Sequence, residues 1–114
     1  MIDPTSRPLL VVVTSNLMDR GPFESAATIA GYRCAFVRAN ELSDLDPLAA
    51  FVDLEAEDSD KVITNLSGRG VRVIAYGPHL DDMSMVRARS LGADSAEPRS
   101  RMLRNPAAYL PPLV

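Results

Sequence analysis

The stretch Ala49-Ala50-Phe51-Val52-Asp53-Leu54-Glu55 decides the fold of this chain, because an apolar run in it passes directly into a carboxylate. A continuous apolar run between polar residues is typical of a strand buried on both faces, as in a parallel α/β sheet. Open α/β sheets bind ligands at the carboxyl ends of their strands. We therefore expect Asp53 at the ligand-binding edge of such a sheet.

Four other stretches have the character of strands. Leu9–Val13 and Val71–Tyr76 are rich in β-branched apolar residues, and Arg33–Arg38 is a weaker example of the same pattern. The stretch Ala93–Pro98 is polar and restricted by proline, which places it at the edge of a sheet. With the stretch around Phe51, these predict five strands.

Helical patterns separate the strands. Apolar residues at helical spacing, followed by a glycine stop, predict helices over 21–31, from Asp58 or Ser59 to about 68, and over 80–91. The connection 39–47 is long enough for only about one helical turn, and the tail 99–114 is broken at Pro106. Alternating strands and helices predict a parallel sheet covered on both faces, an α/β fold.

Length and composition predict a single globular domain. The chain has 114 residues, of which 46% are hydrophobic, and no apolar stretch is long enough to span a membrane. We expect a flexible lead over 1–8 without a secretory signal, one domain over 9–114, and the cytoplasm as the location. The single cysteine, Cys34, is expected to be a buried, unreactive thiol.

The charge distribution argues against nucleic-acid binding. The net charge is −3, with acidic residues crowded in the middle of the chain and arginines towards its end. Such a chain has no continuous basic helix to follow a phosphate backbone. We expect neither nucleic acid nor a membrane as a partner.

The order of these elements, with Asp53 after the third strand and Gly92-Ala93-Asp94 before a basic residue, resembles the receiver domain of bacterial response regulators. The resemblance covers nearly the whole chain. It implies a flavodoxin-like three-layer α/β/α sandwich with strand order 2-1-3-4-5. It also implies that Asp53 corresponds to the aspartate that accepts a phosphoryl group in receivers.

The other positions of the receiver pocket depart from the family pattern. Thr14 and Ser15 stand where receivers carry the two acids that help to hold Mg²⁺, a cation that needs carboxylate ligands. Gly77 stands at the position of the switching hydroxyl, Ala96 at that of the moving aromatic residue, and Arg99 at that of the lysine. The resemblance therefore implies a degenerate pocket with no cofactor.

Two interpretations of Asp53 remain open. The first is that Asp53 and Arg99 form a permanent charge-assisted pair that fixes the domain in one state. The second is that Asp53 is simply a solvated acid at the end of a strand.

Other candidate sites are weaker. His79, Asp81 and Asp82 suggest a metal site, although the two acids also suit the first turn of a helix. The loop 14–16 follows the first strand at the sheet edge and suggests a phosphate contact, but it lacks a glycine-rich run.

A face for partners is expected on the helix 80–91 and the fifth strand, which receivers use for contacts with other proteins or a twin subunit. Methionine and arginine suit an interface, although core packing for Met83 and solvation for the arginines explain them equally well. The candidate interface residues are Met83, Met85, Arg87, Arg89 and Arg101.

The sequence thus predicts a stand-alone, degenerate receiver-like signalling domain without enzymatic activity, which acts by binding another signalling protein or a second copy of itself. One alternative is a working single-domain response regulator that accepts a phosphoryl group on Asp53, with Mg²⁺ as its cofactor. A second alternative is a binder of a small phosphorylated ligand at the carboxyl edge of the sheet.

Overall fold

Five parallel strands form the centre of the molecule. The computed structural model describes residues 6–78 and 82–113. The strand order is β2-β1-β3-β4-β5, which confirms the predicted sheet. The strands are β1 (Leu9–Val13), β2 (Arg33–Phe36), β3 (Ala49–Asp53), β4 (Arg72–Gly77) and β5 (Ser95–Pro98).

Helices connect the strands. The α-helices are α1 (Arg20–Ala30), α2 (Ser59–Gly68), α3 (Asp82–Ser90) and α4 (Arg99–Met102), and short 3₁₀ helices cover Leu17–Asp19, Ala39–Glu41 and Pro106–Tyr109. The predicted stop of α1 is confirmed, since Gly31 adopts a left-handed conformation with φ of 85°. The strand β2 ends at Phe36, two residues earlier than predicted.

The sheet separates two apolar cores. Alternate side chains of the strands point to opposite faces, so Val11 and Val73 pack against α2 and α3 on one side. On the other side, Phe51 and Tyr76 pack against Phe23 of α1 and against residues of the C-terminal tail. Both faces of the central strands are therefore buried, as the apolar run in β3 requires.

The tail after β5 is held against α1. The hydroxyl of Tyr32, just after α1, donates a hydrogen bond of 2.6 Å to the carbonyl of Pro111. The tail contains α4 and the 3₁₀ helix Pro106–Tyr109, which agrees with the prediction of short helical pieces.

Some predicted features fall partly outside the described residues. Positions 1–5 of the lead 1–8 lie outside them, as do His79, Leu80 and Asp81. Within the part of the chain that the structure describes, no helix is both long and apolar enough to cross a bilayer.

Candidate functional site

The carboxyl ends of neighbouring strands bring the candidate residues together. Val13 pairs with Val52 across β1 and β3, so Thr14 follows β1 beside the end of β3. Asp53 is paired with Tyr76 of β4, and Gly77 is paired with Pro98, directly before Arg99. This register places Thr14, Asp53, Tyr76 and Arg99, which come from the ends of four strands, at the same edge of the sheet.

Asp53 is a buried acid with two hydrogen-bond partners. Its exposed fraction is 4%. The backbone N–H of Glu55 donates to its Oδ1 at 2.9 Å, and the hydroxyl of Thr14 contacts its Oδ2 at 3.0 Å. The interpretation of Asp53 as a solvated acid is therefore wrong.

A second acid, Asp19, lies in the same pocket and is completely buried. It ends the 3₁₀ helix Leu17–Asp19 and directly precedes α1, where a negative charge is favoured by the helix dipole. Its Oδ2 accepts hydrogen bonds from the hydroxyls of Tyr76, at 2.9 Å, and of Thr14, at 3.1 Å. A buried carboxylate needs such donors to replace its lost hydration.

The predicted pair between Asp53 and Arg99 is replaced by a pair between Asp19 and Arg99. The guanidinium Nη2 of Arg99 donates to Oδ1 of Asp19 in a short charge-assisted contact. The hydrogen bonds found for Asp53 come from Thr14 and from Glu55. Asp19 is completely buried, and within the described part of the chain Arg99 is the cation that contacts it, whereas the contacts of Asp53 are a hydroxyl and a backbone N–H.

The pocket favours a neutral tyrosine and a charged arginine. Burial raises the pKa of Tyr76 far above its usual range, and the neighbouring carboxylates act in the same direction, although the Thr14 hydroxyl opposes them. The hydrogen bond to Asp19 raises the pKa of Arg99. Tyr76 therefore acts as a hydrogen-bond donor to Asp19, and Arg99 as its counter-ion.

The hydroxyl of Thr14 lies between the two carboxylates. It accepts a hydrogen bond from the backbone N–H of Asn16 at 3.1 Å, and its single hydrogen faces both Asp19 and Asp53. A hydroxyl has one proton to donate. It can therefore satisfy only one of the two carboxylates at a time.

The other predicted pocket residues contribute less. Ser15 is exposed, Gly77 lies buried within β4, and Ala96 is buried in β5. The hydroxyl contributed by β4 comes from Tyr76, one residue before Gly77, and reaches across to Asp19.

The predicted interface residues lie on α3 and just after β5. Met83 is 81% exposed, so it is not a core residue, whereas Met85 is partly buried against the core. Arg87 forms an ion pair of 2.5 Å with Asp60 of α2, and Arg101 contacts Glu97 at 3.5 Å. Arg89 is exposed. Val86, which belongs with Met83 to the apolar pattern that predicts this helix, is 63% exposed beside it, so this part of the pattern does not face the core.

The fold resembles that of solved receiver domains. A receiver domain from Methanospirillum hungatei matches with a TM-score of 0.77 and 12% identity over 90% of each chain. A response regulator from Thermotoga maritima has the same TM-score and 17% identity over 90% of this chain and 92% of its own. No family model and no curated protein sequence matches. The chain therefore has the CheY-like receiver fold.

A third similar structure bears on the chemistry of the pocket. It is a response regulator from Burkholderia pseudomallei with a phosphorylated aspartic acid and a calcium ion, and it matches with a TM-score of 0.78 and 16% identity over 91% of this chain and 66% of its own. In this chain, the described residues include no group of three or more acidic, histidine or cysteine side chains that could hold a metal ion. Asp19 contacts the same Thr14 hydroxyl as Asp53, but its charge is already neutralised by Arg99. Among the described residues of the pocket, this leaves Asp53 as the carboxylate without a counter-charge.

Sequence reasoning missed Asp19 and Tyr76. Asp19 lies six residues beyond the end of β1 and looks like an ordinary acid before a helix. A signal was nevertheless present, because a tyrosine in a strand buried on both faces needs a partner for its hydroxyl. Tyr76 therefore indicated a polar group beneath the sheet edge.

Proposed function

We propose that this protein is a receiver-like signalling domain that works in the cytoplasm by binding another protein, without enzymatic activity and without regulated phosphorylation of Asp53. The receiver fold supports the signalling role. The pairing of Arg99 with the buried Asp19 supports the absence of phosphorylation, and it is the observation that carries the proposal.

The electrostatic argument concerns the charge that a phosphoryl group brings. Phosphoryl transfer needs cations that neutralise the charge developing on the transferred oxygens. In this pocket Arg99 already neutralises Asp19, and Thr14 and Ser15 offer a metal ion no carboxylate. Releasing Arg99 towards a phosphoryl group would leave Asp19 buried without its counter-charge, which is costly.

The two side chains that move when a receiver switches between its states are also missing. In receivers, a hydroxyl at the end of the fourth strand and an aromatic residue on the fifth strand move together. The equivalent positions here are Gly77 and Ala96, and neither offers a side chain able to follow a phosphoryl group. The proposed domain therefore presents one permanent surface to its partner.

The proposed surface is the α3 and β5 face. Met83 and Val86 are three residues apart on α3, so they lie on the same side of the helix and are both largely exposed. Exposed methionine and valine beside arginine suit a protein interface better than solvent. The partner is another signalling protein or a second copy of this chain.

The first experiment tests phosphorylation. The purified protein is incubated with acetyl phosphate and Mg²⁺, next to a receiver domain of known phosphorylation as a positive control, and intact masses are measured. The expected result is no added phosphoryl group on this protein. A mass increase that disappears in Asp53→Asn would refute the proposal and would establish the working response regulator instead.

That alternative has one observation in its favour. Sequence reasoning placed no acid beside Asp53, yet the structure brings Asp19 to the same hydroxyl that contacts Asp53. A second carboxylate at this edge is what a phosphoacceptor pocket needs to hold a cation. The mass measurement decides between the two functions, because the added phosphoryl group would require Arg99 to release Asp19.

The second experiment tests the surface. Met83→Asp and Val86→Asp are compared with Ile29→Asp, which changes an equally exposed side chain on α1, on the other face of the sheet. If a second copy is the partner, sedimentation velocity should show self-association that the two α3 variants abolish and the α1 variant preserves. Equal behaviour of all three variants would remove the α3 face as a self-association interface.

A further inference from the structure

A cleft of about 890 Å³ opens beside the Asp53 pocket, at the carboxyl ends of β1 and β2. Its walls come from the loops that follow β1, β2 and β3, and its size is within the range of small-molecule sites. The strand order reverses at β1, because β2 and β3 lie on its two sides. Open α/β sheets bind ligands at such a switch point.

One part of the cleft carries two arginines. Arg20 and Arg38 both line it, both are exposed, and neither forms an ion pair with any of the residues that the structure describes. An unpaired guanidinium offers a fork of donors that matches the oxygens of a phosphate group.

Arg20 is also part of a flat platform. Its guanidinium carbon lies 5.0 Å from the centroid of the Phe36 ring, over the face of that ring. Phe36 ends β2 and is half-buried, so it holds the guanidinium in place from below. The outer face of a guanidinium held in this way can stack on an aromatic base.

The part of the cleft that comes from the loop after β3 is acidic. Glu57 and Asp58 line it and are exposed, and neither makes a side-chain hydrogen bond or ion pair within the described residues. The third acid of the lining, Glu41, already accepts a hydrogen bond of 2.9 Å from the backbone N–H of Arg38. Free carboxylates accept hydrogen bonds from ring N–H and amino groups.

These three features point to one class of ligand. The geometry points to a purine nucleotide, with its phosphate on Arg38, its base stacked on Arg20, and the amino or ring N–H edge of the base towards Glu57 and Asp58. A bare anion would satisfy the arginines but would be repelled by the carboxylates. A purine nucleotide carries an anion on its ribose and a hydrogen-bond donor edge on its base, so one molecule can reach both parts of the cleft.

This site is separate from the proposed interface and from Asp53, which does not line the cleft. It shares one residue, Thr14, with the Asp19 pocket. Its test therefore does not depend on whether Asp53 is phosphorylated.

The experiment is a calorimetric titration of the protein with GMP and with AMP. Arg20→Gln and Arg38→Gln are compared with Arg89→Gln, which removes an exposed arginine on α3, outside the cleft. The expected result is saturable binding that weakens about tenfold or more in each cleft variant and stays unchanged in the control variant. All three positions are exposed, so the variants should fold, and circular dichroism checks this.

Inorganic phosphate provides the second arm. It should bind much more weakly than GMP, because it cannot stack on Arg20 or reach the carboxylates. Equal affinity for phosphate and for GMP, an equal loss in the Arg89→Gln variant, or no saturable heat at millimolar nucleotide would each overturn the nucleotide site.

Discussion

Replacing Arg99 by methionine should reveal how strongly the Asp19 pair stabilises the fold. Methionine keeps much of the length and apolar contact of the arginine side chain but removes its charge. Asp19, which is 0% exposed, would then keep the Tyr76 hydroxyl and its shared contact with the Thr14 hydroxyl but lose its counter-charge. The loss of one partner from a fully buried pair costs about 3–5 kcal/mol.

The expected magnitude is smaller here because water reaches part of the arginine. The side chain of Arg99 is 33% exposed, so the pair is partly screened. We expect Arg99→Met to lower the free energy of unfolding by about 2–3 kcal/mol. With a urea m value of about 1.5 kcal/mol/M, the midpoint of unfolding should fall by roughly 1.3–2 M.

Arg101→Met is the matched control. Arg101 lies two residues away, is 69% exposed and contacts Glu97 at 3.5 Å, so its loss should cost less than about 1 kcal/mol. A double-mutant cycle with Asp19→Asn isolates the pair, and we expect a coupling of at least about 1 kcal/mol. Additive effects of the two changes, or an Arg99→Met variant as stable as the control, would refute the pairing as a source of stability.

Three further predictions concern neighbouring groups. Asp53→Asn should leave the free energy of unfolding unchanged or raise it by up to about 1 kcal/mol, because Asp19 and Asp53 then no longer compete for the Thr14 proton. A clear loss of stability in urea unfolding would contradict this. Burial raises the pKa of Tyr76, so the folded chain keeps the phenol proton that the unfolded chain releases near pH 10. The free energy of unfolding should therefore fall above that pH, by up to about 1.4 kcal/mol per pH unit from this group. The fall should be shallower in Tyr76→Phe. Burial, assisted by the charge of Glu24, raises the pKa of Cys34 to about 11. The reaction of this thiol with a disulfide reagent at pH 8 should therefore be on the order of 100-fold slower than in the unfolded chain. Equal rates would show an accessible thiolate.

The sheet could be predicted from the sequence because its strands carry simple patterns. Leu9–Val13 and Ala49–Asp53 are buried along their whole length, and an unbroken apolar run leaves few other structures. The glycine at position 31 marked the end of α1 for a similar reason, since it adopts a conformation that other residues avoid. Local residue patterns were therefore enough to predict these strands and the end of this helix.

The pocket could be predicted only in part. The position of Asp53 followed from its strand, but the partner of Arg99 depended on where the loop after β1 places Asp19. That outcome depends on the path of the loop between β1 and α1, which turns Asp19 beneath the sheet edge towards Tyr76. Loop paths of this kind depend on tertiary packing, so the pairing of Arg99 with Asp53, which was expected from the resemblance to receivers, named the wrong acid.

The cleft was harder to predict from the sequence than the pocket. The loop 14–16 lies at the right edge for a phosphate contact, but its sequence lacks the glycine-rich run that would indicate one. The cations that line the cleft come instead from Arg20, at the start of α1, and Arg38, after β2. Residues from separate loops meet there because the parallel strands all end at one edge.

The most direct test of the proposed inactive pocket observes Arg99 itself. The side-chain Nε–H signal of Arg99 is followed by nuclear magnetic resonance while Mg²⁺ and then beryllium fluoride, a phosphoryl mimic, are added. If the guanidinium stays with Asp19, this signal and the amide signals of Thr14 and Asp53 should not shift in a saturable way. A saturable shift of all three, absent in Asp53→Asn, would show that Arg99 leaves Asp19 for a phosphoryl group and that the pocket is active.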